Sequence, residues 1–351
     1  MDNCLHTITR SNLTGTMGMR TYNGQNYGDG SWMEDAHWGS YKFFFTENNV
    51  VHNLVKMSGN MDAKRGARYV VRYSKLYDCS FIQTHGTEGD RDRGCRAIEF
   101  YNNICNRSNG GPGAPGGLRS GNLLFHDNKY TGVSLNNPFV SAWAARMGTD
   151  FQPWGLADGG NPWDQNDPHG LYASGMTATA SVVGATQGDT SFYVTGNQSV
   201  YNTGGYSIKN TRTGLGSPIY SAVYNSTSSR TLIKCGYSIA WPGSKVAFSA
   251  GDPFEIRRVL RVLDQTGLGK GTLCSTPKSL NGAVNEASYA WSNTQANGTH
   301  VTIHSGAPVN PTFVEGRDYF NSAPPFAYQP YTYPHPLVSA IVPPNDLQVV
   351  P

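Results

Sequence analysis

Charge is what this 351-residue sequence has least of: 15% of its residues are Asp, Glu, Lys or Arg, and the net charge is +3. No basic run occurs, which argues against a nucleic-acid partner, because phosphate neutralisation needs clustered cations. So slight a surplus leaves a polyanionic sugar compatible. No apolar stretch reaches the ~20 residues of a membrane span, and no segment has an amphipathic helical pattern longer than two turns. Cysteine is sparse: the six, at 4, 79, 95, 105, 235 and 274, show no close metal-type pairing and are too few for a disulfide scaffold. Cys79, Cys95 and Cys105 read as small apolar core fillers. The start has neither basic residues nor an apolar run. Met1-Asp2-Asn3-Cys4-Leu5-His6 reads instead like the inside of a repeat, so earlier coils or a cap, and the processed leader of a secreted protein, are expected upstream.

What is abundant is turn-forming and polar-uncharged. The 41 Gly and 20 Pro imply frequent turns, and 12% of residues are aromatic. Asn, Thr, Ser, Gly and Tyr must cover most of the exterior, as in extracellular β proteins that meet sugars.

Between residues 43 and 131 one phrase recurs. Its copies are Phe44-Phe45-Thr46-Glu47-Asn48-Asn49, Val70-Val71-Arg72-Tyr73-Ser74, Ile98-Glu99-Phe100-Tyr101-Asn102-Asn103 and Leu124-Phe125-His126-Asp127-Asn128. Registered on Asn49, Ser74, Asn103 and Asn128, the steps are 25, 29 and 25 residues, a period that suits one coil of a parallel β-helix rather than a helix pair. Asn suits a turn buried between coils, because it donates and accepts in register with its neighbours and tolerates left-handed backbone angles. Val51, Leu76, Cys105 and Tyr130 should then occupy equivalent strand positions, with a one-residue slip at the 29-residue step.

Arg68-Tyr69-Val70-Val71-Arg72-Tyr73, His85-Gly86-Thr87-Glu88, Arg93-Gly94-Cys95-Arg96-Ala97-Ile98-Glu99-Phe100-Tyr101-Asn102-Asn103, Glu315-Gly316-Arg317-Asp318-Tyr319-Phe320 and Tyr333-Pro334-His335-Pro336-Leu337 resemble the bacterial secreted right-handed parallel β-helix proteins of the pectate-lyase-like superfamily. The resemblance spans most of the chain except residues 176 to 250, and it implies a stacked coil and carbohydrate contact. His85-Gly86 is also similar to the Arg-His-Gly motif of alginate-lyase and chondroitinase-B type enzymes, but Thr84 stands where their catalytic arginine would be.

The fold expected is therefore all-β: a right-handed parallel β-helix with an inserted antiparallel β module and an extended Pro/Tyr-rich C-terminal strap. Residues 1–135 form coils, 136–175 a Trp/Asp/Gly-rich loop region, 176–262 the inserted module, and 263–351 the returning coils and strap. The periodicity stops after Asn136 and resumes near Tyr289-Ala290-Trp291-Ser292-Asn293. The last residues are too rich in Pro for regular strands.

The densest ionisable set is His85, Glu88, Arg93, Arg96 and Glu99, with Arg119 one coil later. Coils stack about 4.8 Å apart, so these candidate catalytic residues are expected to line one groove of a polysaccharide lyase or glycoside hydrolase. Elimination on a uronic-acid polymer needs a cation for the carboxylate and a base for the adjacent proton. Hydrolysis needs two carboxyls about 5 to 9.5 Å apart. Trp32, Trp38, Trp154 and Trp163 are candidate sugar platforms or loop anchors. Asp158, Asp164 and Asp167 offer the oxygen ligands of a Ca²⁺ site without EF-hand spacing. A non-catalytic sugar-binding or adhesive surface protein and a structural fibre or spike subunit are the alternatives.

Overall fold

A computed structural model describes residues 4–6, 9–13, 17–20, 27–53, 61–87, 91–108, 116–132, 139–140, 153–183, 190–202, 204–235, 246–271, 284–305 and 312–337. Its main body is a parallel β-solenoid of three faces. On the first face Cys4–His6, Phe44–Glu47, Arg68–Arg72, Ala97–Tyr101, Asn122–His126, Ser288–Trp291 and Tyr319–Phe320 stack in that order, all parallel. The second face stacks Thr9–Leu13, Val50–Asn53, Lys75–Tyr77, Ile104–Arg107, Lys129–Gly132 and Thr294–Gln295. The third is broken into short pairs, Met17–Arg20 on Met61–Lys64, Ile82–Gln83 on Gly116–Gly117, and Phe139–Val140 on His304–Ser305.

The turn between the first and second faces repeats in five successive coils. Asn48, Tyr73, Asn102, Asp127 and Ser292 take left-handed angles there. Each is followed by a buried ladder residue: Asn49, Ser74, Asn103, Asn128 and Asn293. The Ser74 amide donates to Asn103 Oδ1 (3.0 Å), the Asn103 amide to Asn128 Oδ1 (3.0 Å) and the Asn128 amide to Asn293 Oδ1 (3.1 Å). Asn103 Nδ2 caps the Val71 carbonyl and Asn128 Nδ2 that of Phe100, each at 2.9 Å. The chain thus reverses direction with its turn groups buried yet hydrogen-bonded. Val51, Leu76, Cys105 and Tyr130 are mutual partners. The slip expected at the 29-residue step is absent, since Leu76 pairs with Cys105 directly. The additional residues are taken up after Tyr77, where strict stacking is not required.

Inside the solenoid Tyr69, Val71, Ile98, Phe100, Leu123 and Phe125 pack with Leu76, Cys95, Cys105 and Tyr130. Cys79, Cys95 and Cys105 are free thiols, and burial raises each to about 12, so they serve as apolar filling.

The coil ending in Asn122–His126 pairs directly with Ser288–Trp291, so the intervening chain leaves and re-enters between adjacent coils. It carries an eight-stranded antiparallel sheet in which Pro253–Arg261 joins Gln165–Asn166, Ala173–Thr177 and Tyr206–Asn210. The module thus begins about ten residues before position 176, because the end of the Trp/Asp/Gly-rich stretch supplies its edge. Phe192, Val194, Ile208, Ile219, Ile233, Phe254 and Ile256 form its separate core. The outward side of the first face is covered by a loop holding the five-residue helix Asp29–Met33 and by an extended strap over residues 322–337.

Candidate functional site

On the third face the strand Met61–Lys64 alternates, with Met61 and Ala63 buried and Asp62 and Lys64 turned outward. A parallel bridge from Ala63 to Thr84, and the His85 amide on the Ala63 carbonyl at 2.9 Å, set His85 beside Asp62. His85 Nε2 contacts Asp62 Oδ2, and Arg119 Nη2 lies 3.8 Å from Asp62 Oδ1. Arg119 is held by its Nε on the Thr84 carbonyl (2.7 Å) and its amide on Thr84 Oγ1 (2.9 Å). Thr84, standing where the similar motif has arginine, is therefore the residue that orients one. The side chains of His85, Asp62 and Arg119 retain 16, 23 and 19% exposure, enough to meet a ligand. Asp62 Oδ1 is itself buried and, among the described residues, accepts no hydrogen bond, so the Arg119 ion pair is the contact seen on that oxygen. Asp62 was not among the sequence candidates. The signal that could have found it is the in-out alternation of Met61-Asp62-Ala63-Lys64, on a face that the Asn register does not mark.

The other ionisable candidates do not join this cluster. Arg93 donates to both oxygens of Asp264 (2.6 to 3.1 Å) and to Asp29 (2.9 Å). Arg96 grips Glu286 bidentately at 2.7 and 3.0 Å and lies over the Trp32 ring. These two arginines fasten the returning segment and the helical loop to the solenoid, and their burial withholds them from an external substrate. Glu88 lies outside the described residues.

Glu99 belongs to the first face, on its outward side. Its neighbours across the sheet are Val70 and Leu124, so its carboxyl sits in an apolar row. Gly39 N–H donates to Oε1 and the Tyr328 hydroxyl to Oε2, both at 2.7 Å. Burial is the largest influence and raises its pKa to about 7, against the partial relief of those two donors and Arg72. In the adjacent row Glu47, Arg72, Tyr101, His126 and Trp291 follow one another coil by coil. Arg72 pairs with Glu47 at 2.6 Å, while the Tyr101, His126 and Trp291 rings stack with centroids 4.8 and 4.2 Å apart. This is an Arg/His/Tyr/Glu assembly of catalytic composition, but the strap closes it: Arg72 donates to the carbonyls of Tyr331 (2.6 Å) and Thr332 (2.9 Å), and Glu47 accepts the His335 amide (2.9 Å).

The tryptophans act as anchors. Trp32 and Trp154 are almost fully buried, Trp163 packs edge-on against Trp154, and Trp38 is half-buried against Phe43. Burial closes the faces of Trp32, Trp154 and Trp163 to a sugar ring. The three aspartates are separately engaged: Asp158 with Lys209 (3.0 Å), Asp164 with the Leu263 amide (2.9 Å), and Asp167 with the Tyr172 hydroxyl (2.9 Å). Among the described residues no group of three or more His, Cys, Asp or Glu side chains is disposed to hold a metal ion, so these aspartates do not form a calcium cage.

Comparisons of the chain with family models, with curated proteins and with solved structures return no match.

Proposed function

We propose that this is an extracellular or cell-surface protein acting on a polysaccharide, with Asp62, His85 and Arg119 as its acid–base centre and a uronic-acid polymer as its substrate class. The observation that carries the proposal is a single carboxylate, Asp62, with His85 on Oδ2 and the Arg119 ion pair on Oδ1 at 3.8 Å, all three side chains partly exposed. Arg119 neutralises the uronate carboxylate and so acidifies the adjacent carbon. His85, oriented by Asp62, receives the C5 proton while the C4–C5 double bond forms and the C4–O glycosidic bond breaks, the departing oxygen taking a proton from water. This grouping has one carboxylate, one base and one cation, which favours elimination over hydrolysis by a carboxyl pair. Membership of the pectate-lyase-like superfamily belongs to the same proposal and rests on the sequence resemblance.

The test is a panel of uronic-acid polymers and neutral glycans, read by the ultraviolet absorbance of unsaturated ends and by reducing ends. His85→Ala should lower turnover ~10²-fold on the polymer that the wild type cleaves, and Arg119→Ala by a comparable factor, with melting temperatures close to the wild type. Full activity in both variants would overturn the assignment. A second reading, a non-catalytic glycan-binding protein, is favoured by the open second face, where exposed Lys75, Ile104 and Lys129 align coil upon coil beside Tyr77, Asn106 and Thr131. Binding to an acidic glycan without turnover would select it.

A further inference from the structure

The first face carries a buried carboxyl that the proposed reaction does not use. Glu99 is 1% exposed, and among the described residues no guanidinium or ammonium group bonds to it. One of its two donors, Tyr328, belongs to the strap, which lies over Glu99 and the row beside it. The strap has a second attachment further along, where Arg72 and Glu47 hold residues 331, 332 and 335, Tyr333 stacks on Tyr73 at 3.6 Å and its hydroxyl donates to Asn48 at 2.5 Å. Most strap residues are exposed on their outer side, so release costs contacts with one face of the solenoid and leaves the coil ladder intact.

We propose that residues 322–337 form a proton-dependent latch, closed over the first face while Glu99 carries a proton and opening as Glu99 ionises, which uncovers the Tyr101, His126 and Trp291 row. Closing the strap removes water from Glu99 without giving it a cation, so the closed state disfavours the carboxylate. The closed-state pKa is about 7, against an ordinary value of 4.5. For an acid raised in this way the proton is bound more tightly when closed. Closure is therefore strongest below the ordinary value, weakens as pH rises towards 7 and stays weakened above it.

The surrounding groups do not reverse that sign. Arg72, from the preceding coil, is committed to Glu47, the Tyr101 hydroxyl and the strap carbonyls. Tyr101 and Tyr328 are raised by burial and stay neutral. His126, from the following coil, is lowered by burial, as is His335 of the strap, so neither gains charge above neutrality. His37, in the loop that supplies Gly39, is turned to Glu34 and Lys42.

Amide hydrogen exchange on the full chain, corrected for intrinsic rates, tests the latch. The His335 N–H, seated on Glu47, reads strap release, and the Asn103 N–H in the ladder serves as the control. The opening constant at His335 should rise on the order of 30-fold from about pH 5.5 to about pH 8.5, with little change at Asn103. Glu99→Gln, which keeps the acceptor but has no proton to lose, should flatten that rise. Tyr328→Phe removes a donor that favours the carboxylate and should move the midpoint to higher pH. A flat wild-type profile overturns the latch. So does an equal rise in Glu99→Gln or, where that variant does not fold, an unmoved midpoint in Tyr328→Phe.

Discussion

Arg96 illustrates how residue type and residue role part company. In sequence it stands among ionisable neighbours and has the chemistry to neutralise a substrate carboxylate. In the fold its side chain is fully buried, spans both oxygens of Glu286, donates to the Glu34 carbonyl at 3.0 Å and lies over Trp32. Removing it leaves a carboxylate that is 17% exposed without its cation, with the Asn122 side-chain amide at 3.1 Å as a neutral donor. Arg96→Ala is therefore expected to cost about 2–4 kcal/mol in urea unfolding, while turnover per folded molecule stays near that of the wild type. A loss of turnover at unchanged stability would return Arg96 to the catalytic set. His85 and Arg119 differ because they share one carboxylate, Asp62, while their side chains stay 16 and 19% exposed.

At the scale of the element, the Asn ladder explains why the solenoid turns sharply at the same point in each coil. The residue before each ladder position is left-handed, and non-glycine residues accept that backbone cost because the following side chain ties two coils together. Asn103 takes the Ser74 amide and donates to the Val71 carbonyl and to Asn128. Asn103→Ala strands a buried amide and a carbonyl, and is expected to lower stability by about 2–3 kcal/mol. Asn103→Ser should lose less, since Ser74 already fills one rung by accepting the Asn49 amide at 3.1 Å. Chemical denaturation of the two variants checks the order, and equal losses would mean that the side-chain oxygen is not the operative group. This element was legible from the 25, 29 and 25 residue steps because its period is written in one residue type. The third face was not, for its strands are two to four residues long and lack such a marker.

At the scale of the molecule, two cores coexist. The module's apolar residues pack among themselves and the solenoid's among theirs, and a solenoid coil depends mainly on its immediate neighbours. Gln165 and Arg261 are antiparallel partners, so the chain enters and leaves the module side by side. Excising residues 166–260 and joining Gln165 to Arg261 through a two-residue turn should leave the solenoid cooperatively folded. It keeps Asp264 on Arg93 and Glu286 on Arg96. Loss of the unfolding transition in that variant would show that the module holds the coils together.

The sequence by itself determined the coil, its Asn register and the Pro-rich strap, because each is a local pattern of backbone preference and side-chain periodicity. Where the insertion departs it did not, since Phe139–Val140, past the last Asn of the register, still stacks on His304–Ser305 of the third face. Only the tertiary structure decided which charges are partners. Arg93 finds Asp264, Arg96 finds Glu286 and Glu99 finds Tyr328 across separations of 171, 190 and 229 residues. The insertion returns the chain against coils laid down much earlier. Whether an ionisable side chain remains open to a ligand depends on what that returning chain brings to it, and no spacing within the repeat encodes the answer.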